Sequence, residues 1–418
     1  MDDVSQDAAS PPRAREGRPR LLFVQRKMGT LGGAAAVAAW MLQALVRDYD
    51  VTLLCWRPPE LAAMNRFFGT SVQAGDLKTI PVPPLLRRIV ELDPDPGSIQ
   101  DWCVLLRRCK HRQHNYDLVL STELEADYGV PGIQYIHWPG VTSFYPPKDS
   151  HSERRWWRKS VALIRGELRP WMLVADYSFE RMRQNVTLTS SEWVGDLVSR
   201  AYGIETQTLY PPACGSFSIR PWAEREDGFV CVGRMNPEKR IEWIIETLGR
   251  VRARRSNLKL HIAASLDIAP GAQAYRRRIV TLVRSNADWV HLHEDLSRED
   301  LLELLACNRY GIHANPQEHF GIVVAEMLLA GSIPFVHSKG GPVEIVGHQP
   351  CLIYSSAEDA VEKIIAMMTD RARQEASLAV LALRAELFTT ERFMRDIRAL
   401  VARELRRRNN SSRIQARL

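Results

Sequence analysis

The stretch His313–Val346, HANPQEHFGIVVAEMLLAGSIPFVHSKGGPVEIV, reads as strand, loop, helix, strand, loop. The apolar run Tyr310–His313 closes a strand. Gly321 lets backbone approach a ligand where the helix begins, and Gly331 ends that helix before the apolar strand Ile333–Val336. A second glycine loop, Gly340-Gly341-Pro342, follows. Strand and helix alternating in this way build a parallel sheet, and both loops then lie at the carboxyl ends of strands, where open α/β sheets bind ligands. Glu318, on the loop, and Glu326, inside the helix, are spaced to hold a polyol. Taken alone, the two glutamates read more simply as a capping residue and a solvated helix charge. Their surroundings have to decide.

Working back along the chain, Phe229–Val232 is a strand followed by Gly233-Arg234, Lys239 and an amphipathic helix over Ile241–Arg252. Arg234 and Lys239 place two cations beside helix-terminal amides, a receptor for a diphosphate. Without such a ligand they would oppose the helix dipole. If the diphosphate is a leaving group, these cations stabilise charge that grows in the transition state, and no metal is required. Leu258–Ala263, Trp289–Leu292 and Cys351–Tyr354 complete this series of strands. An earlier series begins with Leu21–Val24, a turn carrying Gly32 and Gly33, a helix from about Ala34, and the strand Val51–Cys55. Its glycine spacing is not the dinucleotide fingerprint, so the turn reads either as a phosphate or sugar loop or as a tight turn. Val186–Ser190 is a strand, Glu192–Arg200 a helix, and Thr208–Tyr210 a strand ending at Pro211-Pro212. His137 ends the apolar run IQYIH before Trp138-Pro139-Gly140, on a loop at the sheet's carboxyl edge; a satisfied structural histidine is the alternative.

The chain has 418 residues, 45% hydrophobic and 25% charged, which predicts a globular protein of two or three domains. It contains no run of 18 apolar residues, and its first twenty residues lack the apolar core of a secretory signal. Seven scattered cysteines do not form a disulfide framework, which points to the reducing cytoplasm. The net charge of +7, dominated by arginine, fits phosphate-bearing ligands or an anionic membrane surface. No nucleic-acid-binding signature is present. Asp93-Pro94-Asp95 reads as a surface turn, and Cys103, Cys109, His111 and His114 miss the zinc spacings. Residues 151–171 interleave Trp156, Trp157 and Trp171 with arginines, either a lipid-headgroup helix or a packed helix with a basic face.

Together, EHFGIVVAE, VGRMNPEK (Val232–Lys239), Gly32-Gly33, SEWVGDLV with the following LYPP, and GGPVEIV resemble the retaining glycosyltransferases of family 4. The finer similarity, carried by EHFGI, AGSIPFVHSKGGP and YIHWPG, is to the dolichol-pathway α-1,2-mannosyltransferases that extend a lipid-linked oligosaccharide. The resemblance implies an α/β chain of GT-B fold, with two Rossmann-like parallel-sheet domains facing a central cleft and a C-terminal helix crossing back. The boundaries expected are a disordered leader over 1–18, an acceptor-side domain over 19–210, a nucleotide-sugar domain over 211–387, the crossover helix over 388–408 and a basic tail over 409–418.

The implied activity is transfer of a hexose, mannose from GDP-mannose, to a glycan or lipid-linked glycan with retained configuration and neither metal nor cofactor. A UDP-sugar enzyme of surface polysaccharide or glycolipid synthesis, or an inactive scaffold subunit, is the alternative. The implied catalytic residues are His137 and Glu318. Arg234, Lys239, Gly32 and Gly33 would hold the donor diphosphate; Glu318, His319, Phe320 and Gly321 the transferred sugar; and Glu326 the ribose. The partners implied are the nucleotide-sugar donor, a glycan or lipid-linked acceptor and peripheral contact with an anionic membrane. Nucleic acid is not among them, and the place is the cytoplasm at the inner face of a membrane.

Overall fold

The computed structural model describes residues 17–26, 28, 32–92, 99–140, 170–266 and 271–415. Its first sheet has seven strands: β1 (Arg20–Gln25), β2 (Asp50–Cys55), β3 (Leu77–Pro81), β4 (Leu118–Ser121), β5 (Ile133–Ile136), β6 (Val186–Thr189) and β7 (Gln207–Thr208). They run in the order β3-β2-β1-β4-β5-β6-β7. β1 pairs in parallel with β2 and β4, and the consecutive apolar side chains Leu21–Val24 are fully buried because helices cover both faces of the sheet. Helix α1 (Gly33–Leu45) follows β1 and is apolar nearly all round, matching its burial from Ala35 to Leu42.

Part of this sheet is poorly visible in the sequence, in the proline-rich stretch 57–115. There the chain forms helix α2 (Leu61–Phe68), β3, α3 (Pro84–Val90) and α4 (Gln100–Lys110). Pro81 ends β3, an edge strand with only a partly buried pattern, and Pro84 occupies the first turn of α3, where a missing N–H costs nothing. Cys103 and Cys109 lie buried in α4, and burial pushes the Cys103 thiol up to about 12. His111 and His114 are exposed beyond the helix. Two short helices, α5 (Pro170–Val174) and α6 (Phe179–Arg183), precede β6. The turn Asp93–Asp95 and the tryptophan-arginine stretch up to residue 169 lie outside the described residues.

The second sheet has six strands: β8 (Glu226–Arg234), β9 (Lys259–Ser265), β10 (Val290–Glu294), β11 (Asn308–His313), β12 (Ile333–His337) and β13 (Ile353–Tyr354). Their order is β10-β9-β8-β11-β12-β13, all pairs parallel. The sequence moves outward from β8 to β10 and then returns to β11 beside β8, so β8 and β11 meet at the point where strand order reverses. Helices α7 (Glu192–Tyr202), α8 (Ile241–Arg252), α9 (Ala272–Ser285), α10 (Arg298–Cys307), α11 (Ile322–Leu329), α12 (Pro342–Ile345), α13 (Ala357–Thr369), α14 (Arg371–Ala385) and α15 (Thr390–Gln415) complete the described chain.

The chain divides into two compact units, residues 1–187 with 397–418, and 188–396. The divide falls inside β6 rather than at the Pro211-Pro212 pair. The reason is local: the Ser191 hydroxyl donates to the His319 carbonyl at 2.7 Å, and the amides of Glu192 and Trp193 each donate to the Glu344 carboxylate at 2.8 Å. These bonds tie α7 to the second unit, although β7 pairs with β6. The expected leader lies outside the described residues up to residue 16. Helix α15 ends in the first unit, where Arg398 Nε donates to the Ala44 carbonyl at 2.7 Å and Arg408 to that of Asp117 at 3.0 Å. The chain expected as a tail stays helical to Gln415, with neither proline nor glycine after Arg408 to stop it.

On one face of β9 and β10, His261, His291 and His293 form a stack, with His261 ring centroids 5.1 and 5.4 Å from those of His291 and His293. His261 Nδ1 and His293 Nε2 are 3.1 Å apart, a bond that needs one nitrogen to lack its proton. Burial, then the neighbouring imidazoles, lowers His261 to about 4. As pH falls from about 6.5 towards about 4, the unfolded chain takes up a proton that the folded chain does not, so stability is full above this window and declines across it. In His261→Phe the loss of urea resistance between pH 7 and 5 is expected to be shallower than in the wild type. Equal slopes would remove this histidine from the acid response.

Candidate functional site

At the carboxyl ends of β8 and β11, three donors converge on one oxygen of Glu318. Lys239 Nζ lies 2.6 Å from Glu318 Oε2, His313 Nε2 lies 3.0 Å from it and Asn315 Nδ2 donates to it at 3.4 Å. Both charged side chains are mostly buried, Lys239 at 17% and Glu318 at 20% exposed. Burial alone would raise the Glu318 carboxyl. The His313 bond and charge, then Lys239, hold it instead far below the usual carboxylate range, so it is ionised at any working pH. No hydrogen bond among the described residues engages the other oxygen, Oε1.

The surrounding backbone is built for close approach. A Cβ on Gly233 would come within 2.9 Å of the Lys239 side chain, so the glycine makes the groove in which that lysine lies. Gly341 donates its amide to the Glu318 carbonyl at 2.9 Å, and a Cβ there would sit 2.3 Å from the His319 carbonyl oxygen. This glycine lets the loops after β11 and β12 touch. Gly321 takes φ 90°, a left-handed conformation that opens α11 and that glycine adopts without strain. Phe320 is buried in the second unit's core, its ring stacked 5.8 Å from that of Tyr210. Burial lowers the pKa of His319, favouring the neutral imidazole.

Glu326, on α11, is buried, and its Oε1 accepts from Arg298 Nη2 at 2.7 Å. Burial pushes its carboxyl up despite that arginine. Arg298 also donates to the Cys214 carbonyl, while its buried Nε has no partner. Arg234 is exposed at the end of β8. The second unit thus brings together Lys239, Glu318, His319, Phe320 and Gly321, with Glu326 held separately by Arg298.

The first unit holds the remaining expected residues at the carboxyl edge of its sheet. Gly32 caps α1 with φ 134° and Gly33 is its first residue. His137 follows β5, and its Nε2 lies 3.1 Å from the Thr122 carbonyl oxygen.

His313, Arg298, Gly233 and Glu344 had no assigned role in the sequence reading. Of these, His313 carried a usable signal, since it ends an apolar strand just as His137 does. The Arg298–Glu326 pair spans 28 positions with nothing local to announce it.

Residues 216–379 match the family described as Glycosyl transferases group 1. The chain is 25% identical over 229 residues to the GDP-Man:Man(3)GlcNAc(2)-PP-Dol alpha-1,2-mannosyltransferase of Candida glabrata, covering 51% of this chain and 45% of that protein. The protein of the same name from Neurospora crassa is 27% identical over 249 residues, with the same coverages of 51% and 45%. That from Dictyostelium discoideum is 25% identical over 251 residues, covering 54% and 50%. The chain therefore spans about half the length of the curated relatives it matches. Among solved structures, Anabaena HepE in complex with UDP superposes with a TM-score of 0.65 at 12% identity, covering 92% of this chain and 99% of that one. Sucrose-phosphate synthase from Thermosynechococcus elongatus gives 0.64 at 16% identity, with coverages of 92% and 99%. WaaG, a glycosyltransferase of lipopolysaccharide biosynthesis, gives 0.58 at 17%, with coverages of 90% and 99%. The fold is that of these GT-B proteins, two parallel-sheet α/β domains.

Proposed function

With a group 1 glycosyl transferase domain over residues 216–379 and a GT-B fold, we propose that this protein is a retaining hexosyltransferase. It moves mannose from GDP-mannose to a lipid-linked glycan, forming an α-1,2 linkage without a metal. The observation that supports this reading best is the asymmetry of Glu318. Oε2 is held by Lys239, His313 and Asn315, which leaves Oε1 to accept a sugar hydroxyl. A carboxylate with one oxygen so engaged and a pKa so low is a weak nucleophile, which fits a role in holding the sugar rather than attacking it.

In this reading Lys239 and Arg234 take the donor diphosphate. Lys239 arrives already fixed by Glu318, so little of its flexibility is lost when phosphate binds. As the glycosidic bond breaks, negative charge builds on the leaving phosphate beside these cations. The acceptor hydroxyl attacks from the face the diphosphate leaves, which retains the configuration, and the departing phosphate takes its proton. Glu326 holds the ribose hydroxyls, His137 the transferred sugar, and Gly32 and Gly33 the diphosphate. A thermal-shift series with GDP-mannose, UDP-glucose and ADP-glucose tests the donor. Stabilisation by GDP-mannose at concentrations where the other two do nothing is expected; stabilisation by UDP-glucose alone rejects this donor.

No helix among the described residues is long and apolar enough to cross a membrane. For the lipid-linked acceptor the reading adds peripheral contact through α3. Leu85, Ile89 and Leu92, on and just after this helix, are 71%, 58% and 80% exposed at i, i+4 and i+7, with Arg87 and Arg88 between them. An apolar stripe flanked by arginines suits an anionic headgroup interface. The double variant Leu85→Asp, Ile89→Asp is expected to lose about tenfold or more in binding to phosphatidylserine vesicles, as removing two buried side chains from an interface would require. Undiminished binding would remove α3 from this role.

A further inference from the structure

At the carboxyl edge of the first unit's sheet, four residues from three strand ends form one chain of hydrogen bonds. Gln25 is the last residue of β1, Thr122 and Glu123 follow β4, and His137 follows β5. The Gln25 amide nitrogen donates to Glu123 Oε1 at 2.7 Å. A carboxylate only accepts, so the amide's NH2 faces Glu123 and its oxygen faces the other way. That oxygen accepts from the Thr122 hydroxyl at 2.7 Å. The carbonyl of the same Thr122 lies 3.1 Å from His137 Nε2. Gln25 and Thr122 are 2% and 1% exposed, so water does not compete for these bonds.

A backbone carbonyl cannot donate, so His137 Nε2 carries the proton at this contact and Nδ1 carries the lone pair of the neutral ring. We infer that Gln25 is a positioning residue: oriented by Glu123, it holds Thr122 through its hydroxyl, and Thr122 in turn fixes His137 as the Nε2–H tautomer. Every link has its direction set. The Arg26 amide also donates to Glu123 Oε1 at 3.2 Å, and the Arg26 guanidinium lies 3.6 Å from its Oε2, which holds that carboxylate in place. The assignment of Gln25 to His137 rests on geometry. Its consequence for turnover rests on the proposed role of His137 at the transferred sugar.

The test is a long-range 1H–15N spectrum of the full chain labelled at histidine, with His137 assigned through His137→Gln. The wild type is expected to show the Nε2–H pattern for His137 at neutral pH. Gln25→Met, close in shape but unable to make either bond, and Thr122→Val, which removes only the hydroxyl, are expected to shift that pattern towards a mixture of tautomers. The same variants are expected to lose about tenfold or more in kcat with donor KM changed less than twofold. A wild-type Nδ1–H tautomer, or an unchanged His137 pattern in a folded Gln25→Met or Thr122→Val protein, overturns the inference. Full turnover in His137→Ala would instead strike the role of the histidine and leave the tautomer measurement standing, so the two failures are distinguishable.

Discussion

Lys239→Ala is expected to lower transfer by about a hundred- to a thousandfold while the chain remains folded. Removing one preorganised group that meets developing charge costs about this much in other enzymes. The substitution removes the cation proposed for the leaving diphosphate and, in the same step, strips Glu318 of one of its three Oε2 partners. The stability cost is expected to be about 2 kcal/mol, below the roughly 3–5 kcal/mol for breaking a fully buried pair, because both members keep some exposure and His313 and Asn315 still hold the carboxylate. A change of that size leaves a domain folded. Transfer by initial rates and unfolding by urea, measured on one preparation, separate the two effects. Near wild-type turnover would overturn the diphosphate assignment.

Glu318→Gln is expected to reduce kcat by a similar hundred- to thousandfold, with the opposite effect on nucleotide affinity. Replacing the carboxylate by an amide removes the charge that pairs with Lys239 and weakens the acceptor that His313 contacts. Lys239 then meets the diphosphate without a competing carboxylate, so GDP is expected to bind as tightly as before or more tightly. The sugar meanwhile loses a charged acceptor, and hydrogen bonds to charged groups are the stronger kind. Titration calorimetry with GDP beside initial-rate kinetics with the sugar donor makes the split visible. Equal losses in both would show that Glu318 acts on the nucleotide rather than the sugar.

The loops that carry this chemistry were legible in the sequence because their strands are buried on both faces. Leu21–Val24 and Ile333–Val336 are unbroken apolar runs that cannot lie at a surface, and Gly33 and Gly321 punctuate the places where strand turns to helix. The pairing of side chains was not legible. Lys239 and Glu318 are 79 positions apart and meet because β11 returns beside β8, a fact of strand order that periodicity does not encode. Nothing in the sequence announces that the two meet, whereas the fold joins them in one ion pair. Arg298 was missed for the same reason, since only the packing of α10 near α11 brings it to Glu326. Edge elements were the other loss. β3 is short and only partly buried, and its prolines read as breaks although they stand where an edge strand ends and a helix starts.

Glu344 shows a third limit. It lies in the GGPVEIV segment, but its function in the fold is to accept the first two amides of α7, and burial pushes its carboxyl up despite those bonds. A carboxylate at a helix N-terminus is favoured by the dipole, but which helix it serves depends on tertiary structure.

The stereochemistry of the product tests retaining, metal-free transfer from GDP-mannose most directly. Incubation of the purified chain with GDP-mannose labelled with 13C at C1, a lipid-linked mannosyl acceptor and excess EDTA, followed by the one-bond C1–H1 coupling of the product, reports configuration and metal dependence together. The predicted result is an α-linked mannose formed at the same rate with and without EDTA. A β-linked product, transfer abolished by EDTA, or no transfer from GDP-mannose while another nucleotide sugar is used would contradict it.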